Sequence, residues 1–328
     1  MGNWPVVGHE WALELLADAL KQGRLSHAYL FTGPAQVGKT TVARAFAQAL
    51  LCEREAGTPC GECRTCQRVA AGRHPDVQLI RAQRDTIQIE QVRMLQSDAA
   101  LSPLEGRYRV FIIREIEKAT LPAANALLKT LEEPPPRVIL LLTSARPDQL
   151  LPTVVSRCQV IGLRPLPLEI IRTALETRWG VDPERAALLA RLSAGRLGWA
   201  VEAQSNPELW EARSRALDDL LALTGDGPYG RLAYAEALSR RAEALDVILG
   251  LWASWWHDVL LIQRGLPDAL VNLDRRVQLA QQAELYQPHQ VVAALEDLVQ
   301  TVRRLKANAN VRLALDVLLL RLPRPAVP

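Results

Sequence analysis

A short stretch near the start of the chain has the residue types and spacing that bind phosphate. Gly33 to Thr40 reads Gly-Pro-Ala-Gln-Val-Gly-Lys-Thr and matches G-x-x-x-x-G-K-[ST] without a mismatch. In such a loop, glycines let backbone N–H groups face phosphate oxygens, the lysine meets the β and γ phosphates, and the hydroxyl binds Mg²⁺. A β-prone run precedes the loop and a helical run follows it, which disfavours a chance glycine turn. The sequence therefore predicts a nucleotide site that includes Gly33, Gly38, Lys39, Thr40 and Thr41.

The acidic element that normally accompanies such a loop is altered. In related nucleotide hydrolases a strand ends in Asp-Glu, where Asp holds Mg²⁺ and Glu orients the attacking water. Here the strand-like run 110–113 ends in Arg114-Glu115. A guanidinium cannot bind a metal, whereas Glu115 keeps the position of the water-orienting carboxylate. Glu117 is interpreted as an exposed charge at the strand end. We therefore expect impaired Mg²⁺ binding and impaired hydrolysis.

A cluster of cysteines has the spacing of a metal site. The pattern C-x7-C-x2-C-x2-C is formed by Cys52, Cys60, Cys63 and Cys66. Four thiolates at short spacing supply a closed tetrahedral Zn²⁺ site with no open position for catalysis. An iron–sulfur cluster also takes four cysteines, but nothing else in the sequence suggests electron transfer. Free thiols are the other alternative. The spacing predicts a structural zinc ion that holds a surface excursion in shape.

Two further groups of residues carry little chemistry when taken alone. Cys158 and the preceding Arg157 are expected to be a small buried side chain and a solvated charge, respectively. Trp252, Trp255 and Trp256 could form a platform on which bases stack. Their spacing in a Leu-rich helical stretch favours packing in a core or at a subunit interface.

The elements that position these residues change type along the chain. Strand patterns occur at 28–31, 77–80, 109–113 and 138–143, and helical patterns at 11–20, 40–51, 89–99 and 123–132. This alternation predicts an α/β fold, with a parallel sheet covered by helices on both faces. Asp182-Pro183 is a good helix start, and residues 207–322 are helical throughout in pattern. We predict an α/β core over 1–163, a helical lid over 164–205 and an all-α C-terminal domain over 206–328.

Composition limits the class of protein. The chain has 328 residues, of which 49% are hydrophobic and 23% charged, so we expect a globular protein of several domains. A net charge of only +3 argues against a histone-like binder of nucleic acid. The first residues form no secretory signal, and no apolar run approaches the length that spans a bilayer. We therefore expect a cytoplasmic protein with no membrane partner.

Several longer motifs resemble one known family. They are His27–Pro34 leading into the phosphate loop, the cysteine segment, Asn125–Pro135, Leu151–Thr153 followed by Ser156–Cys158, and Asn308–Leu319 near the end. Together they resemble the AAA+ clamp-loader subunits of bacterial DNA polymerase III over nearly the whole chain. The resemblance implies an AAA+ phosphate-loop core, a helical lid and a C-terminal collar domain for oligomerisation.

Within that family the sequence is more similar to the delta-prime branch than to the ATP-hydrolysing gamma/tau motor. Arg114 replaces the metal-binding aspartate. Gly198 stands where the family has a lid arginine, with Arg196 as a shifted candidate. The sequence at Trp4-Pro5 is not preceded by the Arg-Pro leader expected of gamma/tau. We also expect no Pro-rich or charged C-terminal extension of the kind that would bind polymerase. The motor remains the alternative, because the phosphate loop is intact.

The resemblance also implies roles and partners. Arg157 would be an arginine finger acting in trans on a neighbour's ATP, and Thr143 or Ser144 would sense the γ-phosphate. The implied partners are gamma/tau and delta subunits in a hetero-pentameric ring, the sliding clamp, and primer-template DNA through the assembled complex. The chain would act as a stator that supports ATP-dependent loading of the clamp.

A zinc-dependent DNA-binding protein with a vestigial phosphate loop is a third hypothesis. It is disfavoured because the cysteine segment lacks aromatic residues for stacking on bases. Its basic residues are also few: Arg54, Arg64, Arg68 and Arg73.

Overall fold

The chain folds into two compact units. The computed structural model describes residues 4–54, 57–241 and 244–325, so residues 55–56 of the cysteine segment lie outside the described part. The first unit comprises Met1–Arg178 and Ser193–Trp199, and the second comprises Trp179–Leu192 and Ala200–Pro328. The predicted three-part division at 163 and 205 stays a prediction.

The first unit is built on a five-stranded sheet. Its strands are β1 (Ala28–Thr32), β2 (Val77–Ile80), β3 (Arg109–Ile113), β4 (Val138–Ser144) and β5 (Gln159–Gly162). They lie in the order β2-β3-β4-β1-β5, and every pair is parallel. The central strands β1 and β4 are buried along their whole length, as expected for a sheet covered on both faces. The predicted parallel sheet is confirmed, with β5 as an additional edge strand.

Helices cover both faces of this sheet. One face packs against α1 (Glu10–Lys21), α2 (Lys39–Leu51) and α3 (Arg64–Ala70). The other packs against α4 (Ile89–Ala99), α5 (Leu121–Glu132) and α6 (Pro152–Val155). Alternate residues of each strand point to opposite faces, so Tyr29 and Phe31 of β1 join the first core while Leu30 joins the second. The unit also contains α7 (Leu168–Trp179) up to Arg178; its last residue, Trp179, belongs to the second unit.

The second unit is helical in the part that the structure describes. Its long helices are α10 (Pro207–Gly225), α11 (Pro228–Ser239), α12 (Leu245–Gln263), α13 (Arg276–Leu285), α14 (Pro288–Lys306) and α15 (Val311–Arg321). The shorter α8 (Pro183–Leu192) and α9 (Leu197–Ser205) precede them. Asp182 accepts a hydrogen bond from the N–H of Glu184, so the predicted helix start is confirmed. The predicted all-α C-terminal region is confirmed as well.

By length and composition, helix α12 is long and apolar enough to cross a membrane. Of the 18-residue stretch that meets these criteria, 39% is buried inside the protein. The prediction that no apolar run approaches that length is therefore wrong. Trp252, Trp255 and Trp256 of this helix are fully buried in the core of the second unit. The indole N–H of Trp252 donates to the carbonyl of Ala216 at 2.7 Å. These contacts mark α12 as the central core helix of its unit and confirm that the tryptophans pack there.

Arg231 joins the ends of two helices inside the second unit. Its guanidinium is fully buried and donates to the carbonyls of Leu223 and Thr224 in α10, and of Leu319 and Leu322 at the end of α15. Replacing Arg231 with Leu removes the guanidinium donor from all four carbonyls. Those of Leu223 and Leu319 keep one long backbone hydrogen bond each, from the N–H of Asp226 at 3.3 Å and of Leu322 at 3.4 Å. We expect a loss of roughly 3 kcal/mol in the free energy of unfolding, measured by urea denaturation.

The matched control for this prediction is Arg240→Leu. Arg240 forms an exposed ion pair with Glu236, and such pairs contribute less than about 1 kcal/mol. Equal unfolding midpoints for the two variants would show that the buried guanidinium is not a structural tie.

Candidate nucleotide site and metal centre

The predicted phosphate-binding residues meet at the carboxyl edge of the sheet. Thr32 at the end of β1 pairs with Ser144 at the end of β4, and Ile113 at the end of β3 lies beside Leu142. In open parallel sheets, ligands bind outside this edge. The strand order therefore brings the phosphate loop, the acidic turn after β3 and the polar end of β4 to one place.

The two glycines of the phosphate loop are required by its backbone. Gly33 has a φ of 136°, and a Cβ on it would lie 2.2 Å from the carbonyl oxygen of Leu163. Gly38 has a φ of 112° and precedes the first turn of α2. Neither position accepts another residue without strain, so the loop keeps a shape in which its N–H groups and the N-terminus of α2 can face an anion.

Lys39 is held at the mouth of this loop. Its ammonium donates to the carbonyls of Gly33 at 2.7 Å and Pro34 at 2.6 Å, and its side chain is buried. Burial lowers the pKa of Lys39, and the carboxylates of Glu117 and then Glu115 partly oppose that shift. Thr40, half-buried, and Thr41, exposed, follow in the first turn of α2. A fixed cation at a helix N-terminus can neutralise a polyphosphate.

The carboxylate of Glu115 is already paired. It lies 2.8 Å from the ammonium of Lys118, and this hydrogen bond is the main reason that the pKa of Glu115 is lowered. Its backbone N–H donates to the hydroxyl of Thr143 at 3.1 Å, which ties the end of β3 to the end of β4. Arg114, the residue before it, continues the sheet by donating its N–H to the carbonyl of Ile80.

Glu117 belongs to the site, so its interpretation as an exposed strand-end charge is wrong. A 3-10 turn over Ile116–Lys118 follows β3 and buries Ile116, which turns the half-buried Glu117 back toward β4. One carboxylate oxygen accepts the N–H of Ala145 at 2.8 Å. The other is buried and has no hydrogen-bond partner among the described residues. In the sequence, the apolar Ile116 between two acids was the only sign that this turn folds back onto the sheet.

The two polar residues at the end of β4 are both buried and differ in their contacts. Thr143 accepts the N–H of Glu115, whereas the hydroxyl of Ser144 accepts the N–H of Arg146 at 3.1 Å. Thr143 is therefore the one joined to the acidic turn. Its role as the γ-phosphate sensor stays a prediction.

The segment expected to supply a lid arginine closes on the phosphate loop through its backbone. The N–H of Gly198 donates to the carbonyl of Gln36 at 2.9 Å, and a Cβ on Gly198 would lie 2.7 Å from that oxygen. An arginine at this position would thus require the loop to move. Arg196 donates through Nε to the carbonyl of Ser193 at 2.9 Å and lies 6.0 Å from the ring centre of Trp199. Its burial lowers the pKa of the guanidinium.

A cavity that the sequence did not predict adjoins the phosphate loop. It has a volume of about 680 Å³ and is lined by His9, Glu10, Trp11, Gly162, Arg164, Pro165, Leu166, Pro167 and Ile170. His9 joins the cavity to the loop, because its Nε2 lies 3.0 Å from the carbonyl oxygen of Val37. The lining is largely apolar with a few polar groups, which suits a planar heterocycle.

The four clustered cysteines converge as a metal site requires. The sulfurs of Cys52, Cys60, Cys63 and Cys66 all lie within 4.8 Å of one another, and those of Cys60 and Cys66 are 3.9 Å apart. Ligands of a tetrahedral zinc ion at its usual Zn–S distance are roughly 3.8 Å apart. Donation from the N–H of Cys63 lowers the pKa of Cys60 to about 6, whereas burial raises the pKa of Cys52 and of Cys66. The convergence of the four sulfurs is what supports a metal site. The cluster could therefore hold a metal ion.

The cysteine cluster is anchored to the helix that follows the phosphate loop. Cys52 directly follows α2, and Cys63 is the N-cap residue of α3. The side-chain amide of Gln48 donates to the carbonyl of Cys66 at 2.9 Å. Cys52 and Cys66 are buried, so the cluster is partly inserted into the first unit and does not lie wholly at its surface.

Arg157 lies at the opposite edge of the sheet from the phosphate loop. It lies between α6 and β5, two residues before Gln159, the first residue of β5, which pairs with Tyr29 of β1. The phosphate loop follows the last residue of β1. Since a strand rises about 3.3 Å per residue, the length of β5 separates the two edges by roughly 10 Å. Arg157 and the phosphate loop of the same chain are therefore not parts of one site.

Two models of DNA polymerase III subunits match most of this chain. A family model described as "DNA polymerase III, delta subunit" matches residues 8–167, and one described as "DNA polymerase III, delta subunit, C terminal" matches residues 207–324. The DNA polymerase III subunit delta' of Bacillus subtilis is 30% identical over 317 residues, which cover 94% of this chain and 94% of that protein.

The chain is also similar to a tau subunit of DNA polymerase III. The DNA polymerase III subunit tau of Escherichia coli is 33% identical over 360 residues, and the match covers 98% of this chain but only 55% of tau. Among solved structures, a gamma subunit-related protein of Thermotoga maritima aligns with a TM-score of 0.42 at 19% identity, covering 94% of this chain and 97% of its own.

Proposed function

Because the chain belongs to the delta-prime family of bacterial DNA polymerase III, we propose that it works as a clamp-loader subunit. It joins gamma/tau and delta subunits in a hetero-pentameric ring and supports the ATP-dependent loading of the sliding clamp onto primed DNA. It does so in the cytoplasm and reaches DNA through the assembled complex. This role requires nucleotide binding and ring contacts but no fast hydrolysis by the chain itself.

The phosphate loop is proposed to bind ATP. Lys39 and the N-terminus of α2 would hold the phosphates, Thr40 would face a metal ion, and the cavity beside His9 would take the base. Bound ATP would place its phosphates beside Lys39 and the loop. The Gly198 N–H already bonded to Gln36 would keep the lid segment close to it.

The acidic turn after β3 is the observation that favours a stator with little hydrolysis of its own over a motor. Arg114 occupies the metal-binding position, and the Glu115 carboxylate is held by Lys118 at 2.8 Å. No carboxylate stands at the position that holds Mg²⁺ in related hydrolases, Glu115 is paired, and one oxygen of Glu117 is bonded to the N–H of Ala145. Transition-state charge on the γ-phosphate therefore has less support in this site than in a motor. The chain would therefore act as a stator that holds ATP.

The cysteine cluster is proposed to hold one zinc ion in a structural role. All four ligands are thiolates, so no position is open for a substrate. Its attachment to the end of α2 through Cys52 and Gln48 gives the metal a place in the framework of the nucleotide site.

Arg157 is proposed to act in trans. Its position at the amino edge of the sheet, away from the phosphate loop of its own chain, supports a role toward a neighbouring subunit. There a guanidinium would stabilise charge that develops on the γ-phosphate of the neighbour's ATP.

Arg114→Asp tests the supporting role. The isolated wild-type chain is expected to bind ATP with weak Mg²⁺ dependence and little turnover, because the metal-binding carboxylate is missing. The variant should bind ATP with stronger Mg²⁺ dependence, measured by calorimetry with and without Mg²⁺. Turnover is measured as the rate of phosphate release.

The alternative is a gamma/tau-type motor, which the intact phosphate loop and the similarity to tau favour. Rapid turnover by the isolated wild-type chain that disappears in Glu115→Gln would establish the motor and exclude the supporting role.

A further inference from the structure

The end of α5 carries two acids where a helix disfavours them. The helix ends at Glu132, which is followed by Glu133 and then by prolines. The negative end of the helix dipole repels carboxylates, so local helix stability does not account for this pair. The two differ in their contacts. Glu133 is exposed and forms no ion pair within the described residues, whereas Glu132 lies 2.8 Å from Nη2 of Arg157.

The backbone around Arg157 is fixed while its side chain is not. Val154 of α6 is buried in the second core of the sheet, and Cys158 packs against the same core. The N–H of Arg157 donates to the carbonyl of Val154. Beyond that point the side chain is 35% exposed and has several freely rotating bonds. Its direction therefore depends on what the guanidinium touches.

Two contacts set that direction. Nη1 donates to the carbonyl of Thr153 at 3.0 Å, and Nη2 meets the carboxylate of Glu132. An arginine has five N–H donors, so these contacts leave others free to meet an external acceptor. The side chain of Glu132 is itself 49% exposed. Ion pairs this exposed are weak, so the contact can select one orientation but cannot keep the guanidinium from a phosphate.

We propose that Glu132 is a positioning residue for Arg157: it holds the guanidinium, before the ring assembles, in the orientation that meets the neighbour's ATP. This inference rests on the proposed function of Arg157 as a trans-acting arginine. Orientation fixed beforehand lowers the entropy that must be lost when the γ-phosphate is engaged. In this scheme Glu132 contacts neither ATP nor the attacking water and acts only through Arg157.

The test is a loader rebuilt from wild-type gamma/tau and delta subunits with Glu132→Ala in this chain. We expect kcat for clamp- and DNA-stimulated ATP hydrolysis to fall about tenfold at the site that Arg157 faces. This is less than the roughly hundredfold cost of an outright misplaced group, because Arg157 can still reach the same orientation. The KM for ATP should not change, because the arginine acts in the transition state. Glu133→Ala, the matched control, should leave kcat unchanged, and both variants should melt at the wild-type temperature.

A double variant separates this inference from the proposed function. Arg157→Ala combined with Glu132→Ala should be no slower than Arg157→Ala alone, because Glu132 has nothing left to position. Additive losses would overturn the inference, as would a wild-type kcat for Glu132→Ala. A kcat above wild type would also overturn it and would show that Glu132 restrains the arginine. If Arg157→Ala by itself has no effect, the proposed function of Arg157 is contradicted, and the role of Glu132 that rests on it is contradicted as well.

Discussion

Replacing Arg157 with alanine is expected to lower ATP turnover at the neighbouring site of the assembled loader by about a hundredfold or more. The guanidinium lies at the amino edge of the sheet and keeps N–H donors free beyond its contacts with Glu132 and Thr153. Its loss removes a preorganised positive charge from the developing γ-phosphate. The measurement is clamp- and DNA-stimulated phosphate release by a loader rebuilt with wild-type partners, together with clamp loading onto primed DNA.

The effect of Arg157→Ala should be confined to the assembled complex. ATP affinity, zinc content and melting temperature of the isolated chain should match wild type, because the residue is absent from its own nucleotide site. Arg157→Lys should rescue poorly, since an ammonium lacks the planar fork that fits a phosphoryl group. Arg172→Ala is the matched control, because Arg172 is also a partly exposed arginine in an ion pair, with Glu169. Wild-type turnover with Arg157→Ala would leave this arginine as an ordinary surface charge.

Replacing Cys63 with serine is expected to release the metal from a protein that otherwise carries about one equivalent of zinc. Binding of a structural metal is linked to folding, so its loss should loosen the segment that the metal holds. Cys52 follows α2 and Gln48 bonds to Cys66, so we expect faster hydrogen exchange at the end of α2 and across α3. The sheet should stay folded, because α3 contributes Val69 to the first core and the other residues of both cores lie outside the cysteine segment. Metal analysis measures the loss of zinc, and hydrogen exchange measures the loosening of α2 and α3.

Cys158→Ser is the matched control for the metal. Cys158 is a thiol outside the cluster, and burial raises its pKa to about 12, so it should remain protonated and unligated. This variant should keep the full zinc content. Purified wild-type protein with no zinc, or with iron and visible absorbance, would contradict the assignment of the cluster.

The sequence predicted the α/β architecture because its central strands are buried on both faces. Such strands are continuous apolar runs, as at Val110–Ile113 and Val138–Leu142. The edge strand β5 escaped notice because it pairs on one side only and buries Ile161 alone. Helix α3 was also missed, since its short sequence contains a metal-ligand cysteine and lies in a segment dominated by ligand spacing.

The phosphate loop and the cysteine cluster were also predicted from the sequence. Each is a continuous local motif, in which the spacing of neighbouring residues alone determines which backbone groups or sulfurs can converge. Their ligands needed no information about how distant segments pack. The roles of these residues stay predictions, but their convergence is seen in the structure.

Only the tertiary structure decided which distant residues join or leave these motifs. Glu117 reaches the N–H of Ala145, the cavity beside His9 is closed by residues that follow β5, and Arg157 pairs with Glu132. Each contact joins segments that are far apart in the chain, and it exists because the strands lie in the order β2-β3-β4-β1-β5. Residue types and local spacing specify strands and helices, whereas the order of strands depends on packing across the whole sheet. The parallel direction of β1 and β5 places the phosphate loop, which follows β1, at one end of the strands and Arg157, which precedes β5, at the other.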